Sequence, residues 1–105
     1  MLGIPIKIIR FADESQPGWV ECELSDASGR RHAFLEKIPV VTTEELWIES
    51  SYPRDGVVAC EVVSTWLDKE GRLLAKIDTS RPWAIESKEG ASEFVVCFNL
   101  LRTLE

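Results

Sequence analysis

The strongest constraint in this sequence is a two-residue alternation of apolar and other side chains, which recurs in short segments along the chain. Such alternation is typical of β-strands with one buried face, because successive side chains of a strand point to opposite sides. A helix would instead repeat every three to four residues. Six segments are predicted strands, namely residues 4–11, 19–24, 31–37, 57–67, 73–78 and 93–99.

Clusters rich in Gly, Pro, Asp and Ser separate these segments at residues 13–18, 25–30, 68–72 and 87–92. Regular turns between short strands predict a mainly β fold, a small antiparallel β-barrel or sandwich of six to seven strands. We prefer the barrel, because closing a sheet removes its exposed edges. The 105 residues have room for one hydrophobic core, so residues 1–105 are predicted to form a single domain.

The second predicted strand shows the alternation most clearly. Its apolar positions Val20, Cys22 and Leu24 are expected to face the core. Its other face, which carries Glu21 and Glu23 beside Trp19, is then expected to face solvent. A register shift of one residue would exchange the two faces.

The longest predicted strand covers residues 57–67 and breaks its alternation at Val63 and Ser64. Eleven residues rarely run straight in a small sheet, so we expect a bend or bulge near Val63. The same pattern places Val58, Cys60 and Trp66 on one face, and it predicts that Trp66 belongs to the core.

One short helix is predicted after the third strand. Thr42 with Glu45 three residues later has the spacing of a capping box, which indicates a helix that begins at Thr42. Glu45 and Glu49 would share one face of this helix. We expect that acidic face to be exposed.

The cysteines favour a reducing compartment. Cys22, Cys60 and Cys97 form an odd set without a CxxC pair, in a sequence without a secretory signal or a long apolar run. We therefore expect a soluble cytoplasmic protein with free thiols and no membrane association. With only His32 to complete a ligand set, we expect no metal and no cofactor.

Catalytic motifs are also lacking in the sequence. His32 is its only histidine, no GxSxG motif surrounds a serine, and the six glycines form no phosphate-binding loop. These features argue against an enzyme and leave no catalytic residue to name. Acid–base chemistry by Glu21, Glu23 and Glu61 stays open only if their strands are neighbours.

The charge of the chain restricts its partners. A net charge of −6, without a basic stripe, argues against binding to nucleic acid or to an anionic membrane. Charge complementarity instead favours a basic protein partner. The oligomeric state is left open.

Four tryptophans in so short a chain need either a core or a partner. Our first hypothesis is a non-enzymatic protein-interaction domain with an acidic, Trp-bearing surface, for example an immunity-type inhibitor of a basic toxin. The alternative is a small-molecule-binding β-barrel, or a minor enzyme, with Tyr52, Arg81 and Trp83 at the barrel mouth. A third possibility is that the tryptophans only plug the barrel ends. The candidate binding residues are Trp19, Glu21, Glu23, Glu45, Glu49, Tyr52, Arg54, Arg81 and Trp83.

Overall fold

The computed structural model describes residues 1–104 and contains seven β-strands, one short α-helix and one 3₁₀ helix. The strands match the six predicted segments closely, although the first and fourth are longer than expected and the last one ends at Cys97 instead of residue 99. β7 is not among the predicted segments. Their bounds are β1 Leu2–Asp13, β2 Trp19–Ser25, β3 Arg31–Lys37, β4 Arg54–Leu67, β5 Leu73–Asp78, β6 Glu93–Cys97 and β7 Arg102–Thr103. Helix α1 covers Ile38–Val41, and the 3₁₀ helix covers Phe98–Leu100.

The strands form one antiparallel sheet in the order β3-β2-β1-β4-β5-β6, and β7 pairs with the start of β1. The sheet curls into a half-barrel, which confirms the mainly β fold with one short helix after the third strand. Strand β4 holds the two halves together by changing neighbours. Its first half, Arg54 to Cys60, pairs with β1, and its second half, Glu61 to Leu67, pairs with β5.

The edge strands β3 and β6 face each other across a seam. Backbone hydrogen bonds from two loops bridge this seam. The amide of Ala27 donates to the carbonyl of Val95 at 2.8 Å, and the amide of Lys88 donates to the carbonyl of Ala33 at 2.8 Å. The loop between β5 and β6 also places Ile85 in the core, where it is 1% exposed. The seam is therefore closed by a loop and not by a strand ladder.

The core follows the alternation predicted for β2. Val20, Cys22 and Leu24 are at most 1% exposed, whereas Glu21 and Glu23 lie on the opposite face. Residues from β1, β3, β4, β5 and β6 join these three in one apolar cluster, in which Phe34 is the largest fully buried side chain. Burial of such side chains is the main driving force of folding.

The bulge predicted in β4 is present, because the register against β5 shifts by one residue between Val62 and Ser64. The prediction that Trp66 belongs to the core is wrong, since Trp66 is 39% exposed. The extra residue, Val63, moves every later side chain of β4 to the other face. Thr65, and not Trp66, therefore lies on the same face as Val62.

The helix that was predicted to begin at Thr42 is wrong in position. Helix α1 ends at Val41, and Thr42 follows it in an extended conformation. Pro39 lies in the first turn, where its missing amide costs nothing, while Ile38 and Val41 are buried. The Thr42 hydroxyl accepts the Glu44 amide at 3.1 Å and so holds a local turn instead of starting a helix.

Within residues 1–104, no helix has both the length and the apolar character that crossing a membrane requires.

Candidate protein-interaction site

The outer face of β2 carries three candidate residues, and each contacts a basic side chain. The Glu21 carboxylate lies 2.6 Å from Lys88 Nζ and also pairs with Arg10. The hydrogen bond from Lys88 holds the pKa of Glu21 below its usual range, against the opposing effect of burial. Glu21 is therefore neutralised by its own neighbours.

Glu23 and Trp19 are engaged in the same way. Glu23 lies 3.9 Å from Arg31, and the Lys37 ammonium lies 5.7 Å from the centre of the Trp19 ring. A cation over an aromatic face is attracted by the ring electrons. The outer face of β2 is thus a surface of mixed charge.

An acidic surface with an exposed tryptophan lies elsewhere, between the β1–β2 turn and the segment after α1. Trp47 is 60% exposed and Ile48 is 65% exposed. Leu46, which precedes this pair in the chain, is buried and anchors the segment. Two open clefts of about 660 and 290 Å³ share Trp47 and Leu46 on one side and Pro17 on the other. We call this region the Trp47 surface, defined by Phe11, Glu14, Gln16, Pro17, Gly18, Ile38, Pro39 and residues 42–49.

Hydrogen bonds hold the Trp47 segment in place. The Tyr52 hydroxyl donates to the carbonyl of Trp47 at 2.7 Å, and the amide of Trp47 donates to Ser50 Oγ at 2.9 Å. Arg54 donates to the Glu44 carboxylate at 2.9 Å. Tyr52 and Arg54, both candidate residues, therefore support this surface from behind.

The Trp47 surface carries negative charge that the chain does not neutralise. Glu14, Glu45 and Glu49 are exposed and form no ion pair within the described part of the chain, residues 1–104. Within residues 1–104, no Lys, Arg or His side chain lines either of the two clefts. Two of the candidate residues, Glu45 and Glu49, thus lie beside an exposed tryptophan.

The remaining candidates, Arg81 and Trp83, lie in the loop between β5 and β6. Trp83 is 49% exposed and lines an open cleft of about 320 Å³ together with Asp55 and Arg102. Neither Arg81 nor Tyr52 lines this cleft, and Arg81 lies 4.0 Å from Asp78 instead. The structure therefore does not gather the three residues of the predicted barrel mouth.

The possible catalytic groups do not converge. Glu61 lies on β4, while Glu21 and Glu23 lie on β2, and β1 separates these two strands. Burial raises the pKa of Cys22 to about 12 and that of Cys60 to about 11, which disfavours the reactive thiolates. Within residues 1–104, no three potential metal ligands form a group.

His32 has a structural environment. Its Nε2 lies 2.9 Å from the Asp26 carboxylate, and its ring packs edge-on against Phe94 at 4.8 Å. The same carboxylate accepts the amides of Ser28 and Arg30 in the turn between β2 and β3. His32 therefore helps to fix this turn where it meets β6.

Sequence reasoning missed Trp47, Ile48 and Glu14 as site residues. The available signal was the Trp47-Ile48 pair, two large apolar residues between acidic ones in a segment without periodicity. The sequence hypothesis treated residues 44–49 as an acidic helix and selected its carboxylates Glu45 and Glu49, so the neighbouring Trp47 and Ile48 were not selected. Glu14 reaches the site only through the fold, which the sequence did not indicate.

The comparisons with known proteins assign no relative, since the chain matches no protein-family model, no curated protein and no solved structure. The chain is therefore classified by its architecture, as an antiparallel half-barrel with one short helix. Any function must be argued from its own residues.

Proposed function

We propose that this chain is a non-enzymatic protein-interaction domain whose Trp47 surface binds a basic segment of a partner protein. The observation that carries the proposal is the combination of an exposed Trp47 with the unneutralised carboxylates of Glu14, Glu45 and Glu49. Buried aromatic anchors supply much of the energy in protein interfaces, and charge complementarity supplies selectivity and rapid association.

The rest of the surface supports this choice of site. The chain carries 18 acidic and 12 basic residues, yet the acidic residues on the outer face of β2 already have basic neighbours. Binding a cation there would first break existing ion pairs. At the Trp47 surface a basic partner would meet free carboxylates, so its charge adds attraction without such a cost. Inhibition of a basic toxin, as by an immunity protein, is one form that this function would take.

The proposal is tested first by a pull-down, in which the tagged protein captures partners from its own cell extract at low and at high salt. The captured partner is then identified, purified and titrated against the chain to measure the affinity. We expect Trp47→Ala to weaken binding by about thirtyfold or more, the loss of an interface hot spot. We expect the double variant Glu45→Gln/Glu49→Gln to weaken binding about tenfold at low salt and less at high salt.

The matched control is Glu70→Gln/Glu86→Gln, which removes two exposed carboxylates that line neither cleft of the Trp47 surface. A partner that binds this control and both Trp47-surface variants equally well would refute the proposed site. A partner that is acidic, or whose binding strengthens with salt, would refute the proposed chemistry.

A second candidate function is small-molecule binding in the cleft beside Trp83. Its volume of about 320 Å³ is within the range of small-ligand sites, and Asp55 and Arg102 offer polar groups of both signs. A metabolite screen that follows thermal stability tests this candidate. A ligand whose stabilising effect disappears in Trp83→Ala would support it, and a screen without stabilisation would count against it.

A further inference from the structure

Within residues 1–104, the second half of β4 has one side without a neighbouring strand. The second half of β4 pairs with β5 on one side, while the pairing of β1 with β4 ends at Cys60. Within residues 1–104, no strand pairs with that other side of residues 62–67. We call this side the β4 edge.

Apart from the bulge at Val63, the β4 edge lacks the features that usually protect a free strand. Residues 62–67 read Val-Val-Ser-Thr-Trp-Leu, without a charge, a proline or a glycine, in a chain in which 29% of residues are charged. Native proteins blunt free edges with lysine, proline or a covering element, because an apolar edge recruits other chains. The bulge at Val63 bends the strand, but Ser64 to Leu67 continue in regular pairing beyond it.

Exposed apolar side chains surround this edge. Trp66 lies opposite Leu74 on one face, and Leu67 lies opposite Leu73 on the other. Of the eleven exposed large apolar residues within residues 1–104, four lie in the second half of β4 or in the facing start of β5: Val63, Trp66, Leu67 and Leu73.

We propose that the β4 edge pairs antiparallel with the β4 edge of a second copy, so that two chains form a two-fold symmetric dimer. This surface is distinct from the Trp47 surface and does not depend on its function. An axis at Thr65 places Thr65 opposite itself and Ser64 opposite Trp66 of the other copy. β-branched and apolar residues are favourable cross-strand pairs.

Charge selects a second copy as the occupant. Two chains of net charge −6 repel each other over most of their surfaces, but residues 62–67 bring no charge to the contact. Antiparallel pairing about this axis brings the Glu61 end of one copy towards the Lys69 end of the other, and neither residue has an ion pair within residues 1–104. Asp68, the nearest other acid, is already paired with Arg72 at 2.8 Å.

The exposed area also fits a dimer. The chain exposes 6574 Å², whereas area scaling gives about 6,000 Å² for a folded monomer of 11.9 kDa. The excess of about 600 Å² approaches the ~800 Å² that each partner buries in a standard stable interface.

The first test is the mass of the purified chain in sedimentation equilibrium over a wide concentration series. We expect a reversible dimer of twice the 11.9 kDa chain mass. Leu67→Lys should weaken dimerisation about a hundredfold, because it places an ammonium group against an apolar contact. Leu35→Lys is the control, since Leu35 is a 45% exposed residue on β3, far along the sheet from β4.

The second test uses cross-linking and fixes the axis. In a Cys97→Ser background, Thr65→Cys should form a disulfide between two copies on mild oxidation, because facing residues of an antiparallel pair bring their Cβ atoms within disulfide range. Leu35→Cys in the same background should form no disulfide between copies, because Leu35 lies on β3, away from the proposed contact. Hydrogen exchange of the unmodified chain should slow at residues 62–67 as concentration rises.

Three results would overturn the proposal. The first is a chain that stays monomeric up to its solubility limit, which would leave the β4 edge to a different protein. The second is a dimer that Leu35→Lys weakens as much as Leu67→Lys does. The third is a dimer in which exchange at residues 62–67 does not depend on concentration.

Discussion

At the scale of single residues, the role of a carboxylate here is decided by its neighbours. Glu21 is held by Lys88 and Arg10 and serves the sheet, whereas Glu45 and Glu49 have no basic neighbour and remain available to a partner. Asp26 is a third case, because it is half-buried and serves a turn. Its Oδ1 accepts the amides of Ser28 and Arg30, and its Oδ2 contacts His32.

Asp26 should contribute stability that depends on pH. Burial alone would raise its pKa, but the hydrogen bonds from His32 and Ser28 outweigh it and lower the pKa from 3.8 to about 2. Because the pKa is lower in the folded state, the contribution is complete above pH 3.8 and is lost as pH falls towards 2. A shift of this size corresponds to about 2 kcal/mol in the free energy of unfolding.

We therefore expect Asp26→Asn to reduce the free energy of unfolding at neutral pH by about 2 kcal/mol, and the difference from the unmodified chain to shrink in acid. Urea unfolding monitored by tryptophan fluorescence at neutral pH and near pH 3 measures both quantities. Glu70→Gln, at an exposed position, is the control. A difference that is constant with pH would contradict this account.

At the scale of elements, the close approach of α1 to β4 depends on a glycine. A Cβ atom at Gly56 would lie 2.9 Å from the carbonyl oxygen of Val41 and 3.0 Å from the Ile8 side chain. Only glycine permits this approach without displacing the last turn of α1. The packing of α1 therefore fixes where the segment after it begins, and that segment carries Trp47.

Gly56→Ala should destabilise the fold, because the backbone carbonyl of Val41 cannot move without shifting α1. Overpacking of this kind costs about 1–3 kcal/mol, which calorimetric melting would detect. Ser51→Ala, at an exposed position between α1 and β4, is the control and should melt like the unmodified chain. An unchanged melting temperature in Gly56→Ala would show that the helix is free to adjust.

The strands were predictable from sequence because alternation and turn residues are local signals. The bulge near Val63 was also predictable. Its effect on Trp66 was not, because the face on which Trp66 lies depends on which residue is extra in the pairing with β5. The helix was misplaced because the spacing of Thr42 and Glu45 suits both a capping box and a local turn. The Trp47 surface joins segments about thirty residues apart, and no local pattern encodes that approach.

At the scale of the whole molecule, the half-barrel depends on the loop that closes its seam. Ile85 enters the core from this loop, and Lys88 bonds to the backbone of β3. The Thr79 hydroxyl, which is buried, donates to the carbonyl of Ile85 at 2.7 Å and fixes the base of the loop. The loop thus acts as a structural wall of the core.

Ile85→Ala should accordingly cost about 2–4 kcal/mol, the usual range for removing a fully buried aliphatic side chain. Leu35→Ala removes a similar side chain from a 45% exposed position and should cost much less. Denaturant unfolding of both variants gives the comparison. Equal losses would mean that the loop contributes nothing particular to closure.

The strand order β3-β2-β1-β4-β5-β6 has a consequence for how the chain is assembled. Each half of the order is a meander of three consecutive strands, and the pairing of β1 with β4 is the main long-range ladder that joins them. Local hairpins form quickly, whereas joining distant segments requires closing a long loop. A chain divided at the exposed Ser51 would therefore yield two fragments, each with one complete meander, suited to reconstituting the protein by complementation.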